Sequence, residues 1–413
     1  MGVVLWPHTH RFLLGVPASR HSCFRFPSSL GFRHSPFPTP HCLMPTQSQE
    51  TILQFGSGKF LRCFADLFVH QLNATDQPAG QIVVVQSTGA DRAKLFNARQ
   101  GRYHAAIRGL QAGRVVDETV EVRSVSRALA AETGWEAVLD LARSEPLRAV
   151  ISNTTEAGYA VDAADSSPAA PPRSFPAKLL AVLLARFNAG LPGLMILPCE
   201  LLHGNADRLR ALVLEQSRRW DLPTAFTDWI AGSCSWHNTL VDRIVSAPAA
   251  GDPFAESDPL FAVAEPFAFW GIDGTPGRSP LVRHPAVRQV DDLGPFYLRK
   301  VRILNGAHTA LVAKARPLGL TTVRQAVCDD RIAPWLEQLL FEEIVPTLVG
   351  RTDDPEGFAR RTLERFANPF LEHRLADIAL EHEVKLRTRL LPTRDEYRAK
   401  FGCWPKLLRE IVP

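Results

Sequence analysis

An apolar strand at residues 51 to 55 runs directly into Gly56-Ser57-Gly58, and beyond that turn Phe60, Phe64, Leu67 and Phe68 share one face of a helix expected over residues 60 to 72. A strand, a Gly-x-Gly turn and a helix N-terminus in this order restrict the chain to α/β architectures in which strand ends of a parallel sheet meet helices. Such a turn presents unpaired backbone N–H groups and favours an anion. Phe55, Gly56, Ser57, Gly58, Phe60 and Arg62 are therefore candidate cofactor contacts. Arg62 can either reach a pyrophosphate or cap the surface. The third glycine of the usual G-x-G-x-x-G is Leu61 here, so the motif taken alone has little specificity for dinucleotides.

Further strands are expected at residues 81 to 86, 148 to 152 and 194 to 197, with an amphipathic helix at 175 to 187. Asn153, Thr154, Thr155 and Glu156 follow the second of these strands and are expected across a cofactor cleft, the plain alternative being a capped turn. No carboxylate stands at Gln86, Ser87 or Thr88 to select ribose hydroxyls, so these residues leave NAD and NADP both open. Residues 251 to 288 read as strand and loop closing a first domain. Beyond about 285 the pattern is helical, with helices expected at 295 to 315, 322 to 327, 332 to 348, 355 to 366 and 371 to 391. The expected class is α/β: a Rossmann-type domain over residues 44 to 285, then a mainly α-helical domain over 286 to 413.

The first of those helices carries Lys300, Asn305 and His308. On an α-helix they point to roughly 0, 140 and 80 degrees at ~100 degrees per residue, so all three can line one side of a cleft. Alcohol dehydrogenation needs a base for the hydroxyl proton, neutral donors for the alkoxide and a hydride acceptor. A buried lysine can be that base near neutral pH, and an amide and an imidazole can hold the alkoxide. The plain alternative is a surface lysine, a capping asparagine and a packed histidine.

Charge removes a competing class. Residues 1 to 43 contain four arginines and no lysine or acidic residue, so they carry the whole formal charge of +4, and the remaining 43 basic and 43 acidic residues cancel. A nucleic-acid partner is therefore not expected. No apolar run reaches membrane-span length. Seven cysteines without C-x-x-C pairs fit free thiols in a reducing cytoplasm. Cys199, Glu200 and His203 lack the further cysteine or histidine of a zinc site, so no metal is expected. The proline-rich first 43 residues show no strand or helix periodicity, and Met44 is the expected initiator.

Five segments in order resemble the polyol-specific long-chain dehydrogenases, the mannitol dehydrogenase family: Ile52 to Arg62, Ser152 to Gly158, Leu197 to Leu201, Thr239 to Val245, and Lys300 to Thr309. They lie within a resemblance running from about residue 50 to about 395. It implies NAD as cofactor, chemistry without a metal, Lys300 as acid/base, and Asp242 near the substrate side of the cofactor. The form ILNGAHT resembles the tagaturonate-reducing branch, which implies interconversion of a keto-uronate and an aldonate. Leu201 stands where polyol-oxidising members carry an asparagine, and this too favours a sugar acid. Glu200 and Asp242 are candidate substrate contacts, and Lys385 and Arg387 are the cations expected to hold an acid group. Fructuronate reduction, mannitol-type oxidation and an inactive nucleotide-binding remnant are the alternatives. The family continues for several helices beyond the segment that 401 to 409 resembles, so a compact or shortened helical domain is expected. A cytoplasmic enzyme, provisionally monomeric, completes the reading.

Overall fold

The computed structural model describes residues 49 to 412 except Thr155, Ala169, Ala170, Pro276 and Arg278; the expectation for residues 1 to 43 lies outside the described residues. In chain order the strands are β1 Glu50–Phe55, β2 Gln81–Gln86, β3 Tyr103–Gln111, β4 Arg114–Val122, β5 Val125–Ala130, β6 Ala149–Ser152, β7 Met195–Pro198, β8 Ser235–Trp236, β9 Thr239–Asp242, β10 Val245–Ser246, β11 Ala262–Ala264, β12 Phe269–Asp273 and β13 Val287–Val290. The main sheet has the order β5-β2-β1-β6-β7-β8, with every pairing parallel. Strand order therefore reverses between β1 and β6. Ligands of open parallel sheets bind at such a point, outside the carboxyl ends of the strands.

Why these runs become central strands follows from their alternation. Ile52, Ile82 and Val84 enter one core, while Leu53, Phe55, Val83 and Val85 enter the core on the opposite face. Continuous apolar strands suit a sheet covered on both sides. One cover includes helices Trp135–Ala142 and Phe175–Asn188. Helix Phe175–Asn188 is started by the Ser174 hydroxyl, which accepts from the Ala177 N–H. The other cover includes helix Ala65–Asn73 and residues of two smaller sheets, β10-β11-β3-β4 and β13-β12-β9.

Three local expectations are corrected. The helix expected over 60 to 72 is two helices, Lys59–Arg62 and Ala65–Asn73, because Phe64 leaves helical geometry at φ −130°, ψ −96°. Sheet pairing runs past 285, since β13 lies parallel to β12 as far as Val290, and helix begins at Gly294. The helix expected over 371 to 391 is broken. Residues 371 to 374 are not helical, and Glu381 takes φ 52° between the short helices Leu375–Ile378 and His382–Lys385.

Beyond Gly294 the chain packs as helices around their own core, which includes Ile303, Leu311, Leu336, Leu340 and Phe366. Three stretches widen to π-helix: Lys300–Asn305, Leu339–Ile344 and Leu386–Leu390. Two of them run up to a proline, Pro346 and Pro392. A proline inside a helix lacks the N–H for the carbonyl four residues back and clashes with it, so the preceding turn opens. Lys300–Asn305 has no such proline. Among the described residues, no helix is long and apolar enough to cross a membrane.

Candidate active site

Gly56 ends β1 at φ +125°, and a Cβ there would lie 2.9 Å from the Asn153 carbonyl oxygen, so both backbone angle and space require glycine. The N–H groups of Ser57 and Gly58 have no protein acceptor among the described residues. A Cβ on Gly58 would meet nothing within 4 Å. An open turn with spare donors at the reversal of strand order fits the pyrophosphate of a dinucleotide. Phe55 is buried beneath the turn, and Phe60 stacks on Phe64 with ring centroids 4.9 Å apart.

Arg62 takes neither role left open for it. It is buried, its Nε donates to the Leu260 carbonyl at 2.8 Å and its Nη1 to the Ser57 carbonyl at 2.6 Å, so it braces the turn from within. Asn153 also braces: its amide donates to the Cys199 carbonyl at 2.8 Å, linking the ends of β6 and β7. Thr155 and the Glu156 side chain lie outside the described residues.

The Glu200 carboxylate accepts from Ser152 Oγ at 3.1 Å, Thr154 N at 2.8 Å, Thr154 Oγ1 at 3.1 Å and Tyr159 Oη at 3.1 Å. It is buried, and burial raises its pKa against those bonds. Its oxygens are already occupied, so Glu200 fixes Thr154 in the cleft wall, in contrast to the expected substrate contact. Leu201, next in the chain, is 43% exposed.

A chain of hydrogen bonds leads from these strand ends to the lysine. Asn205 donates to the carbonyls of Pro198 and Thr239 at 3.0 and 3.1 Å, tying β7 to β9. Near the end of β9, the Val241 carbonyl accepts from Lys300 Nζ at 2.5 Å. Lys300 is buried, and burial pushes its pKa below the usual lysine range; Asp242 opposes the shift and Arg365 adds to it. Lys300 and Asn305 span the π-helical stretch. In i→i+5 winding, five residues make little more than one turn, so the two side chains face more nearly the same way than an α-helix would set them.

Asn305 is half-buried, and its amide has no hydrogen-bond partner among the described residues; its carbonyl accepts from Thr309 Oγ1 at 2.9 Å. His308 is buried with Nε2 unpartnered, stacked on Phe366 at 4.2 Å and set edge-on to His373 at 4.7 Å. Burial first, then His373 and the cations Arg365, Arg389 and Lys300, hold its pKa well below the usual imidazole range. His308 is therefore neutral at neutral pH. A cluster with one lysine of lowered pKa, a spare amide and a neutral imidazole has the parts that move a hydroxyl proton and bind an alkoxide.

Asp242 is clamped by Arg365. The guanidinium reaches Asp242 Oδ1 at 2.8 Å and Oδ2 at 3.2 Å, and Glu265 Oε1 at 2.7 Å and Oε2 at 2.8 Å. All three side chains are buried. Burial raises the Asp242 pKa, but Arg365 and then Lys300 outweigh it and hold the carboxyl below its usual range. Arg365 and Glu265 carried no sequence signal: one is a basic residue on an amphipathic helix, the other a single glutamate after β11.

Neither expected carboxylate-binding cation faces this cluster. Lys385 Nζ donates to the Ile378 carbonyl at 3.0 Å, and Arg387 is exposed. The basic side chain from that segment whose field reaches Lys300 and His308 is Arg389, whose Nη1 donates to Thr309 Oγ1 at 3.3 Å. No group of three or more His, Cys, Asp or Glu positioned for a metal occurs among the described residues.

The family model described as the mannitol dehydrogenase Rossmann domain matches residues 50–282, and that of the mannitol dehydrogenase C-terminal domain matches residues 292–412. An altronate oxidoreductase of Yersinia pestis is 41% identical over 375 residues, covering 87% of this chain and 77% of the relative. That of Bacillus subtilis (strain 168) is 38% identical over 377 residues, covering 88% and 78%. Among solved structures, a D-sorbitol dehydrogenase in substrate-free form superposes with a TM-score of 0.74 at 25% identity, over 86% of this chain and 77% of the other. Mannitol 2-dehydrogenase of Pseudomonas fluorescens gives 0.73 at 22% identity, over 88% and 78%, a likeness of fold. The chain belongs to the mannitol dehydrogenase family, and is a dehydrogenase/reductase built on a Rossmann-type sheet with a helical C-terminal region.

Proposed function

We propose that this protein interconverts a keto-uronate and an aldonate with NAD, tagaturonate and altronate being the pair. The observation that carries the chemistry is the buried Lys300, held by Val241 near the end of β9 with its ammonium destabilised by burial. The pair itself is supported by the altronate oxidoreductases among the relatives, by the exposed apolar Leu201, and by Arg389 near the cluster. The open turn at Gly56 to Gly58 receives the pyrophosphate of the cofactor. NAD held there would supply the hydride acceptor for oxidation, and NADH the hydride donor for reduction.

In oxidation the neutral amine of Lys300 takes the hydroxyl proton of the aldonate. The Asn305 amide and the Nε2–H tautomer of His308 donate to the alkoxide oxygen as its charge develops. In this reading Arg389 receives the carboxylate. In reduction the Lys300 ammonium returns the proton to the carbonyl oxygen. The test follows NADH and NADPH oxidation with tagaturonate, fructuronate and fructose. Preference for tagaturonate with NADH is the expected result. Preference for fructose overturns the sugar-acid assignment, and absence of turnover with all three favours a nucleotide-binding remnant.

A further inference from the structure

Lys300 faces charged groups from several separate elements. They are Asp242 at the end of β9, Glu265 just after β11, Arg365 on helix Pro355–Phe366 and Arg389 on the stretch Leu386–Leu390. His308, on the helix that follows the lysine, is neutral at neutral pH. No direct ion pair joins Lys300 to Asp242 among the described residues, because the guanidinium of Arg365 engages both oxygens of Asp242. The same guanidinium binds both oxygens of Glu265, whose Oε1 also accepts from the Ile244 N–H at 2.6 Å. Burial raises the Glu265 pKa, and these charge-assisted bonds from Arg365 oppose that rise.

Charge balance then gives Glu265 a task that contact alone does not show. Arg365 neutralises one of the two carboxylates, and the Lys300 ammonium shares the compensation of the second with Arg243 beside Glu265 and Arg299 near Asp242. We propose that Arg365 and Glu265 are positioning residues for the Lys300 proton transfer: Arg365 keeps Asp242 from pairing directly with the lysine, and Glu265 supplies the negative charge that balances its ammonium. The pair thus sets the pH at which the lysine changes from proton donor to proton acceptor, without touching substrate. The inference rests on Lys300 being the acid/base of the proposed reaction. Burial, the largest influence on Lys300, favours its neutral form; Asp242 and Glu265 favour the charged form, and Arg365 opposes it.

The experiment is the pH profile of kcat/KM for aldonate oxidation, whose acid limb reports the loss of neutral Lys300. In Glu265→Gln one negative charge is gone, so the limb moves to lower pH by roughly one unit, while the KM for NAD stays as in wild type. Glu265→Asp restores the charge and returns the limb toward wild type. A paired variant, Arg365→Met with Glu265→Met, removes one charge of each sign and leaves an apolar replacement that buried ion pairs commonly tolerate. It frees Asp242 to pair with Lys300, so its limb moves to higher pH, opposite to Glu265→Gln. Unshifted limbs in whichever of these variants fold, or activity lost without any shift, overturn the proposal. Lys300→Met separates the two readings. If it retains turnover, the lysine acid/base itself fails; if it is inactive while Glu265→Gln keeps the wild-type profile, only the present inference fails.

Discussion

At the scale of single residues, the same burial that makes Lys300 costly to charge makes it useful. The ammonium lies below its usual pKa range, so a larger fraction is neutral at neutral pH than for a solvated lysine. Lys300→Ala is expected to lower turnover ~100-fold to 10,000-fold with little change in NADH affinity, since the amine acts on the alcohol and does not hold phosphates. Stopped-flow turnover alongside NADH fluorescence titration separates the two effects, and near wild-type turnover would remove the lysine from the mechanism. Oxidation needs the neutral amine and declines as pH falls through the Lys300 pKa. Reduction needs the ammonium and declines as pH rises through it. The acid group gives a second test. Arg389→Met is expected to raise KM for tagaturonate roughly 10-fold to 100-fold, the worth of a charged hydrogen bond, and to change fructose far less. Arg387→Met, at an exposed site, should leave both unchanged. A larger effect from Arg387 would return the carboxylate contact to the residue first chosen from sequence.

At the scale of elements, widened helical turns decide which side chains meet. The family resemblance makes Lys385 and Arg387 the choice, but within the π-helical stretch Leu386–Leu390 it is Arg389 that reaches Thr309. Pro392 is the local cause. Replacing it with alanine restores an N–H for the Thr388 carbonyl and lets the turn close toward α-helix. Pro392→Ala is therefore expected to raise KM for tagaturonate about tenfold, with a smaller change for fructose. Equal kinetics on both substrates would show that the wide turn does not aim Arg389. These turns also mark where sequence was legible. Strand Gln81–Gln86 and helix Pro355–Phe366 have the bounds that their periodicity gives, because each buries one consistent pattern. The break at Phe64 and the left-handed Glu381 escape periodicity, since tertiary packing overrides local preference there. Lys300, Asn305 and His308 were legible as a spaced triad within one helix. The Arg365–Glu265 clamp was not, because its partners are 100 residues apart and meet only in three dimensions.

At the scale of the whole molecule, the buried ionic cluster joins the sheet-based part to the helical part, and the reaction depends on a charge that the fold disfavours. The linkage sign follows from the Lys300 pKa being lower in the folded chain than in the unfolded one. Between the two values the unfolded state binds more protons than the native state, so stability rises with pH across that window. Below the folded pKa the full cost of burying the ammonium is present; above the unfolded value, about 10.4, it is gone. Lys300→Met keeps the length of the apolar stem and removes the charge, whereas alanine would leave a cavity. It is therefore expected to abolish turnover and yet raise the urea midpoint at pH 7, with a gain that shrinks toward pH 10. Such a gain reflects the trade between stability and activity at a site tuned for proton transfer. The donor to the Val241 carbonyl is also lost, which takes back part of the gain at every pH. The pH dependence, more than the absolute midpoint, is thus the diagnostic quantity. Unfolding curves for both proteins at pH 7 and pH 10 provide it, and a difference that does not vary between them would mean that the folded chain does not penalise the Lys300 charge.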